Sequence, residues 1–185
     1  MAHLSSNAHM NTISFRNDIL PLKNQLYRLA LRITLDSAEA EDIVQETMIK
    51  VWNKRDSWNE IDNMEAFCFT VCRNLSLDSV KSHRSQNQSL DESPVEKADD
   101  TFNPSEEAIE KDQVNLVKHI IDSLPEKQRS CIQLRDFEGK SYKDIAQILE
   151  ISEEQVKVNI FRARQTVKQR FAAIDGFTVK ASNSH

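Results

Sequence analysis

The chain has 185 residues, with 29 acidic against 24 basic side chains and a formal net charge of −5, enough for one or two modest domains. Only two glycines, Gly139 and Gly176, and four prolines occur. That scarcity argues for helices: it disfavours sheets, which need turn residues at short intervals, and phosphate-cradling loops, which need clustered glycines.

No apolar run approaches the roughly 18 residues of a membrane span, and the amino terminus lacks a basic-then-apolar leader, so a cytoplasmic location is expected. Residues 1–10, "MAHLSSNAHM", read as a cloning remnant ahead of a first domain over 11–84. Within that domain "AEDIVQETMIKVW" has the period of an amphipathic helix. Ala40, Ile43, Val44, Thr47, Met48 and Val51 form one stripe, the face that packs on a core. Asp42, Gln45, Glu46 and Asn53 gather on the other side around Ile49, so an apolar side chain sits inside an acidic, amide-rich face.

Cys68 and Cys72 lie one helical turn apart in "AFCFTVC" with no histidine nearby, which favours buried packing over a metal site. With Cys131 they make three, an odd number that fits a reducing compartment. His83, His119 and His185 are scattered and pair with no nucleophile. No cofactor, metal, catalytic residue or small-molecule substrate is therefore expected.

The hydrophobic period fades after Val80 and resumes near Ala108. Residues 85–105 are polar, carry two prolines and have almost nothing to bury, the composition of a flexible linker. From Ser85 to Asn115 the net charge is −7, whereas from Leu116 to Ala172 it is +3. The carboxy-terminal module is basic inside an acidic protein, and phosphate contact depends on local charge.

That module, over 106–172 with a tail at 173–185, carries its own punctuation. Pro125 suits a helix start and Gly139 a helix stop. Ser141 with Asp144 and Ser152 with Gln155 have capping-box spacing, so two further helices start near Tyr142 and Glu153 with a three-residue turn, Glu150 to Ser152, between them. This is a helix-turn-helix, whose second helix reads base edges in the major groove. Ile145, Ala146, Leu149, Ile151, Val156, Ile160, Ala163 and Val167 form its internal stripe. Lys157, Asn159, Phe161, Arg162, Arg164 and Lys168 are left for solvent or DNA. The expected fold is all-α: two small helical domains joined by a flexible acidic linker, the second a helix-turn-helix domain.

"AEDIVQETMIKVW", "FCFTVCRNLSLDSVKSHR" and "LPEKQRSCIQLRDFEGKSYKDIAQILEIS" with "RAR" behind it, in that order from about Ile13 to Phe171, resemble the extracytoplasmic-function group of bacterial RNA polymerase sigma factors. The resemblance implies that Asp42, Gln45 and Glu46 dock on the clamp helices of core RNA polymerase; the helical pattern adds Ile49 and Asn53 to that face. It also implies that a loop at Trp58 to Glu65 captures a flipped base of the minus-ten element, with Trp58 stacking and Asn59 and Asn63 bonding the base edge. Arg73, Asn74, Lys81 and Arg84 on the next helix would hold the strand.

The segment "QVKVNIFRAR" resembles the family's T-V-K-S-R-L-x-R-A-R, which reads the minus-thirty-five duplex. Ser152, Gln155, Lys157, Val158, Asn159, Phe161, Arg162 and Arg164 are its candidate contacts. Gln155, Val158 and Asn159 depart from the pattern at positions expected to face bases; Asn159 would suit adenine and Val158 a thymine methyl. Glu150 stands where the family turn has Gly, a left-handed position that costs another residue roughly 1 kcal/mol or more.

The implied activity is that of a dissociable initiation subunit, not an enzyme. Its partners would be core RNA polymerase, promoter DNA and an anti-sigma factor. The alternative is a stand-alone helix-turn-helix regulator of duplex DNA, which leaves the face around Ile49 unused, or an all-helical adaptor. The resemblance gives no placement of the two domains relative to each other.

Overall fold

The computed structural model describes residues 13–87 and 106–182; residues 1–12, most of the acidic linker and the last three residues lie outside them. A π-turn at Phe15–Ile19 and a 3-10 turn at Leu20–Leu22 lead into α1, Lys23–Thr34. Leu26, Leu29, Ala30 and Ile33 recur at helical spacing and are buried. The helix ends because Leu35 takes left-handed angles, φ 59°, with its N–H bonded to the Leu31 carbonyl at 2.8 Å.

Asp36 then caps α2, Ser37–Asn53, by accepting from the Glu39 N–H at 3.0 Å, which satisfies one of the four free donors of a helix start. The apolar stripe read from the sequence packs inward: Ala40, Ile43, Val44, Thr47 and Val51 are buried and Met48 half-buried. Thr47 survives there because its hydroxyl donates to the Ile43 carbonyl at 2.7 Å. After a 3-10 turn at Arg55–Glu60, α3 spans Met64–Asn87. It runs three residues past the expected boundary at Arg84.

The second domain comprises α4 (Glu106–Asp122), α5 (Glu126–Ile132), a π-turn at Gln133–Phe137, α6 (Tyr142–Leu149) and α7 (Glu153–Ser182). Gly139 sits at φ +68°, where the chain reverses and the Lys140 N–H returns to the Leu134 carbonyl at 2.9 Å. Both serines cap their helices, but only the second box is reciprocal, since the Asp144 carboxylate accepts from the Ser141 hydroxyl at 2.6 Å rather than from its N–H. The Ser141 hydroxyl accepts from the Asp144 N–H at 3.1 Å, while Ser152 and Gln155 exchange bonds of 3.1 and 3.0 Å. Among the described residues there is no strand.

The tail expected from residue 173 differs: α7 continues through 173–182. No proline stops it, and a single glycine such as Gly176 weakens a helix by about 1 kcal/mol without ending it.

The two domains pack against each other, α1 against α5 and α3 against α6. The core is continuous across the boundary, joining Leu26, Leu29, Phe69 and Cys72 to Cys131, Leu134, Ile145 and Ile148. Polar bonds ring this core. Arg28 makes a two-point pair with Glu138, both bonds 2.7 Å, and Arg32 bonds Asp122 at 2.7 Å and Gln133 at 2.9 Å. A separate cluster of Ile121, Leu124, Ile132 and Ala163 holds α4, α5 and α7 together.

Candidate protein-docking and nucleic-acid interfaces

The outer face of α2 is the first candidate surface. Asp42, Gln45, Glu46, Ile49 and Asn53 are all exposed, and Ile49 keeps 59% of its surface open. Only Glu46 finds an ion-pair partner, Lys50 at 3.2 Å one turn on. Sequence reading missed Trp52, which is also exposed, three residues beyond Ile49 and therefore its neighbour on the helix. Its ring meets Phe15 edge-on at 5.3 Å and carries Arg55 at 5.1 Å. An isoleucine and a tryptophan with a polar rim have the make-up of an interface centre.

The second surface departs from expectation at three residues. Trp58 is 7% exposed, and its indole Nε1–H donates to the Val51 carbonyl at 3.0 Å, so the ring is core and presents no face for a base to stack on. The burial of a large ring with a satisfied N–H outweighs any surface role. Asn63 is the cap of α3: its Oδ1 accepts from the Ala66 N–H at 2.9 Å and its Nδ2 donates to Asp144 at 3.0 Å. Arg73, 8% exposed, bonds Asn74 at 3.4 Å and Glu150 at 3.5 Å. Asn63 and Arg73 therefore face the second domain here.

Asn59, Asn74, Lys81 and Arg84 remain exposed. A groove between α2 and α3 brings Asn53 and Asn74 together with Lys50 and Lys54 over a floor of Phe67, Val71 and Leu75. The Lys54 ammonium stands 5.9 Å from the Phe67 ring centre. Cations over a half-buried aromatic floor, with amides at the rim, suit an unpaired nucleotide. Sequence reading divided these residues between two surfaces because it could not see that the helices adjoin there.

The third surface is the outer face of α7. Lys157, Val158, Phe161, Arg162 and Arg164 are exposed, Phe161 to 63% although it is apolar. Ser152 and Gln155 are committed to capping, and the Asn159 amide donates to the Gln155 carbonyl at 2.8 Å, leaving its oxygen outward. Lys157 stands 5.9 Å from the Tyr142 ring centre. Arg164 is gripped at two points by Asp136, one bond 3.0 Å long, and that carboxylate raises the guanidinium pKa further. Glu150 adopts φ 54°, ψ 47°, the left-handed turn geometry.

Cys68, Cys72 and Cys131 are buried, and desolvation pushes each thiol up to about 12. Cys72 donates to the Leu26 carbonyl at 3.4 Å. Among the described residues no three His, Cys, Asp or Glu side chains group as a metal site, and no helix is long and apolar enough to cross a membrane.

A three-helix unit with an exposed docking face, followed by a helix-turn-helix unit with a cationic outer face, defines a DNA-binding protein that also engages a protein partner. The Sigma-70 region 2 model matches residues 19–86 and the Sigma-70 region 4 model residues 115–167. The chain is 32% identical over 148 residues to the ECF RNA polymerase sigma factor SigL of Mycobacterium tuberculosis, covering 77% of this chain and 80% of that one. It is 29% identical over 156 residues to RfaY of Xanthomonas campestris pv. campestris, described as a probable RNA polymerase sigma factor. That match covers 80% of this chain but only 39% of RfaY. Among solved structures, the sigma factor RpoE in complex with the anti-sigma factor NepR from Bartonella quintana superposes with a TM-score of 0.68 at 25% identity, covering 84% of this chain and 95% of that one. The chain belongs to the extracytoplasmic-function RNA polymerase sigma factors.

Proposed function

We propose that this chain is an alternative-type sigma factor: it binds core RNA polymerase through α2, directs it to a specific promoter set and leaves the chemistry to the polymerase. The observation that carries the reading is Ile49, an exposed apolar side chain ringed by Asp42, Gln45, Glu46 and Asn53 with Trp52 beside it. A solitary regulator of duplex DNA has no use for that face. In this reading the chain works in the cytoplasm, beside the polymerase.

The groove between α2 and α3 receives an unpaired base of the opened minus-ten strand. Lys50 and Lys54 neutralise phosphates, Phe67 supplies a stacking surface, and Asn53 and Asn74 bond the base edge. Lys81 and Arg84, further along α3, carry the adjoining backbone. Asn63 and Arg73, turned toward the second domain, lie outside this groove.

The outer face of α7 enters the major groove at minus thirty-five. Arg162, Lys157 and Arg164 position it on phosphates, and Val158, Asn159 and Phe161 meet the bases. An anti-sigma factor, the kind of partner held by the related RpoE, restrains the protein by covering these surfaces.

The test is co-purification with bacterial core RNA polymerase, comparing the wild type with the double variant Gln45→Ala, Glu46→Ala. Tight binding by the wild type and much weaker binding by a folded variant is the expected result. If neither protein binds the enzyme while the wild type still binds duplex DNA alone, the chain is a stand-alone regulator.

A further inference from the structure

We infer that the groove between α2 and α3 selects its base through Asp78: the carboxylate accepts from an exocyclic amine, so the groove takes cytosine, adenine or guanine and refuses thymine. The inference rests on the proposed reading of that groove as the seat of an unpaired base, and names the class of base it seats.

Three observations carry it. First, Asp78 is the one acid among the residues that line the groove, which it shares with the cations Lys50 and Lys54. A surface built only to follow a phosphate backbone gains nothing from an anion, because a carboxylate repels the strand. Its presence marks where a base edge, not a phosphate, comes to rest.

Second, the carboxylate is uncommitted. Lys50 pairs with Glu46 at 3.2 Å, and Lys54 stands over the Phe67 ring. Asp78 is exposed, and among the described residues its carboxylate makes no ion pair or hydrogen bond. Both oxygens are free to accept.

Third, the neighbours complete a base site. Asn74 lies one turn before Asp78 on α3, so an amide and a carboxylate line the same side of the groove. The cleft measures about 390 Å³ over an apolar floor, the size and character of a small-ligand site. An ionised carboxylate only accepts, whereas an amide both donates and accepts. The amine of cytosine or adenine therefore donates to Asp78 while Asn74 donates to the ring nitrogen beside it. Guanine presents its amine in the same way, with Asn74 accepting from the ring N–H. Thymine has no amine, and its single N–H lies between two carbonyl oxygens that meet the carboxylate as acceptor against acceptor.

The experiment uses the full chain assembled with core polymerase, with core polymerase alone as the background. The probes are fluorescent decanucleotides of one base each: oligo(dC), oligo(dA), oligo(dU) and oligo(dT). Oligo(dU) separates the missing amine from the thymine methyl. Anisotropy gives affinities for the wild type, Asp78→Asn, Asp78→Ala and Lys54→Ala, and circular dichroism establishes that each variant is folded. The wild type should hold oligo(dC) and oligo(dA) about tenfold more tightly than oligo(dU) and oligo(dT). Removing a negative charge strengthens every strand alike, so the ratios are the readout. Asp78→Asn should close the gap by gaining oligo(dU), since its amide donates to a carbonyl oxygen; Asp78→Ala should close it by losing oligo(dC). Oligo(dU) bound as tightly as oligo(dC) by the wild type overturns the inference, as does a preference that survives both Asp78 variants. Affinities unchanged in Lys54→Ala, or no binding above background, sink the groove reading beneath it. Failure of the wild type to assemble with core polymerase sinks the sigma reading itself.

Discussion

The indole N–H of Trp58 donates to the main-chain carbonyl of Val51, 3.0 Å away, and closes the 3-10 turn back onto the end of α2. One bond thereby converts an aromatic that the family pattern places beside DNA into a strut that ties the 3-10 turn to α2 and to the Phe15 ring. Trp58→Ala should destabilise the protein by about 3–5 kcal/mol, the range for truncating a buried tryptophan. Trp58→Phe should cost about 0.5–1.5 kcal/mol, the net worth of one hydrogen bond, because the Val51 carbonyl keeps the Lys54 N–H at 3.1 Å. Urea denaturation followed by circular dichroism measures both; stability unchanged in Trp58→Ala would return the ring to the DNA surface.

Ile49 and Trp52 predict a different pattern. Both are exposed, so Ile49→Ala should leave stability within about 0.5 kcal/mol. At the centre of a docking face it should still weaken core-polymerase binding about tenfold or more. Titration calorimetry or fluorescence anisotropy against core enzyme gives the affinity. An unchanged Kd would move the dock elsewhere on the chain.

Ser152 tests whether a candidate DNA contact is chiefly a cap. Its hydroxyl satisfies the Gln155 N–H and its own N–H is satisfied by the Gln155 side chain. Ser152→Ala should cost about 1 kcal/mol and fray the first turn of α7. The readout is a lower thermal midpoint with duplex binding weakened in step. Full stability with selective loss of DNA binding would assign Ser152 a direct contact.

Arg162 is exposed on the outer face of α7. As a phosphate contact, Arg162→Ala should weaken minus-thirty-five duplex binding about equally across sequences and lower the salt slope by about 1. Affinities at several salt concentrations decide it. Asn159→Ala should instead relax discrimination at a single base pair, by about 1–3 kcal/mol.

The three buried thiols fix an alkaline limit. Burial raises each to about 12 in the folded chain from the ordinary thiol value of 9.0. A folded value above the unfolded one means that the unfolded state ionises first as pH rises. Their contribution is therefore fully present below about pH 9 and is lost as pH climbs toward 12. The denaturation midpoint should fall between pH 9 and 11. At pH 8 an aromatic disulfide reagent should label none of the three until the protein unfolds; rapid labelling of native protein would show an accessible thiolate.

Local chemistry was legible in the sequence because its determinants lie within a few residues. Ser141 and Ser152 each cap a helix through the N–H three residues on, and the stripe from Ala40 to Val51 packs as its period requires. Glu150 holds the left-handed turn that the missing glycine suggested. The face around Ile49 was legible too, since exposure on a helix follows from periodicity once the opposite stripe is known to be core.

What the tertiary structure alone decided depends on groups far apart in sequence. Whether Trp58 lies inward rests on a carbonyl seven residues back and on the rings packed around it. Whether Asn63 and Arg73 are free rests on Asp144 and Glu150, more than seventy residues away. The groove that joins Asn53 to Asn74 exists only where α2 and α3 meet. By itself the sequence determined the helices, their caps and the residue types each face offers, because those follow from spacing along one chain. Which of those residues are open to a partner was decided by packing, because burial and hydrogen-bond commitment are properties of the neighbours that folding supplies.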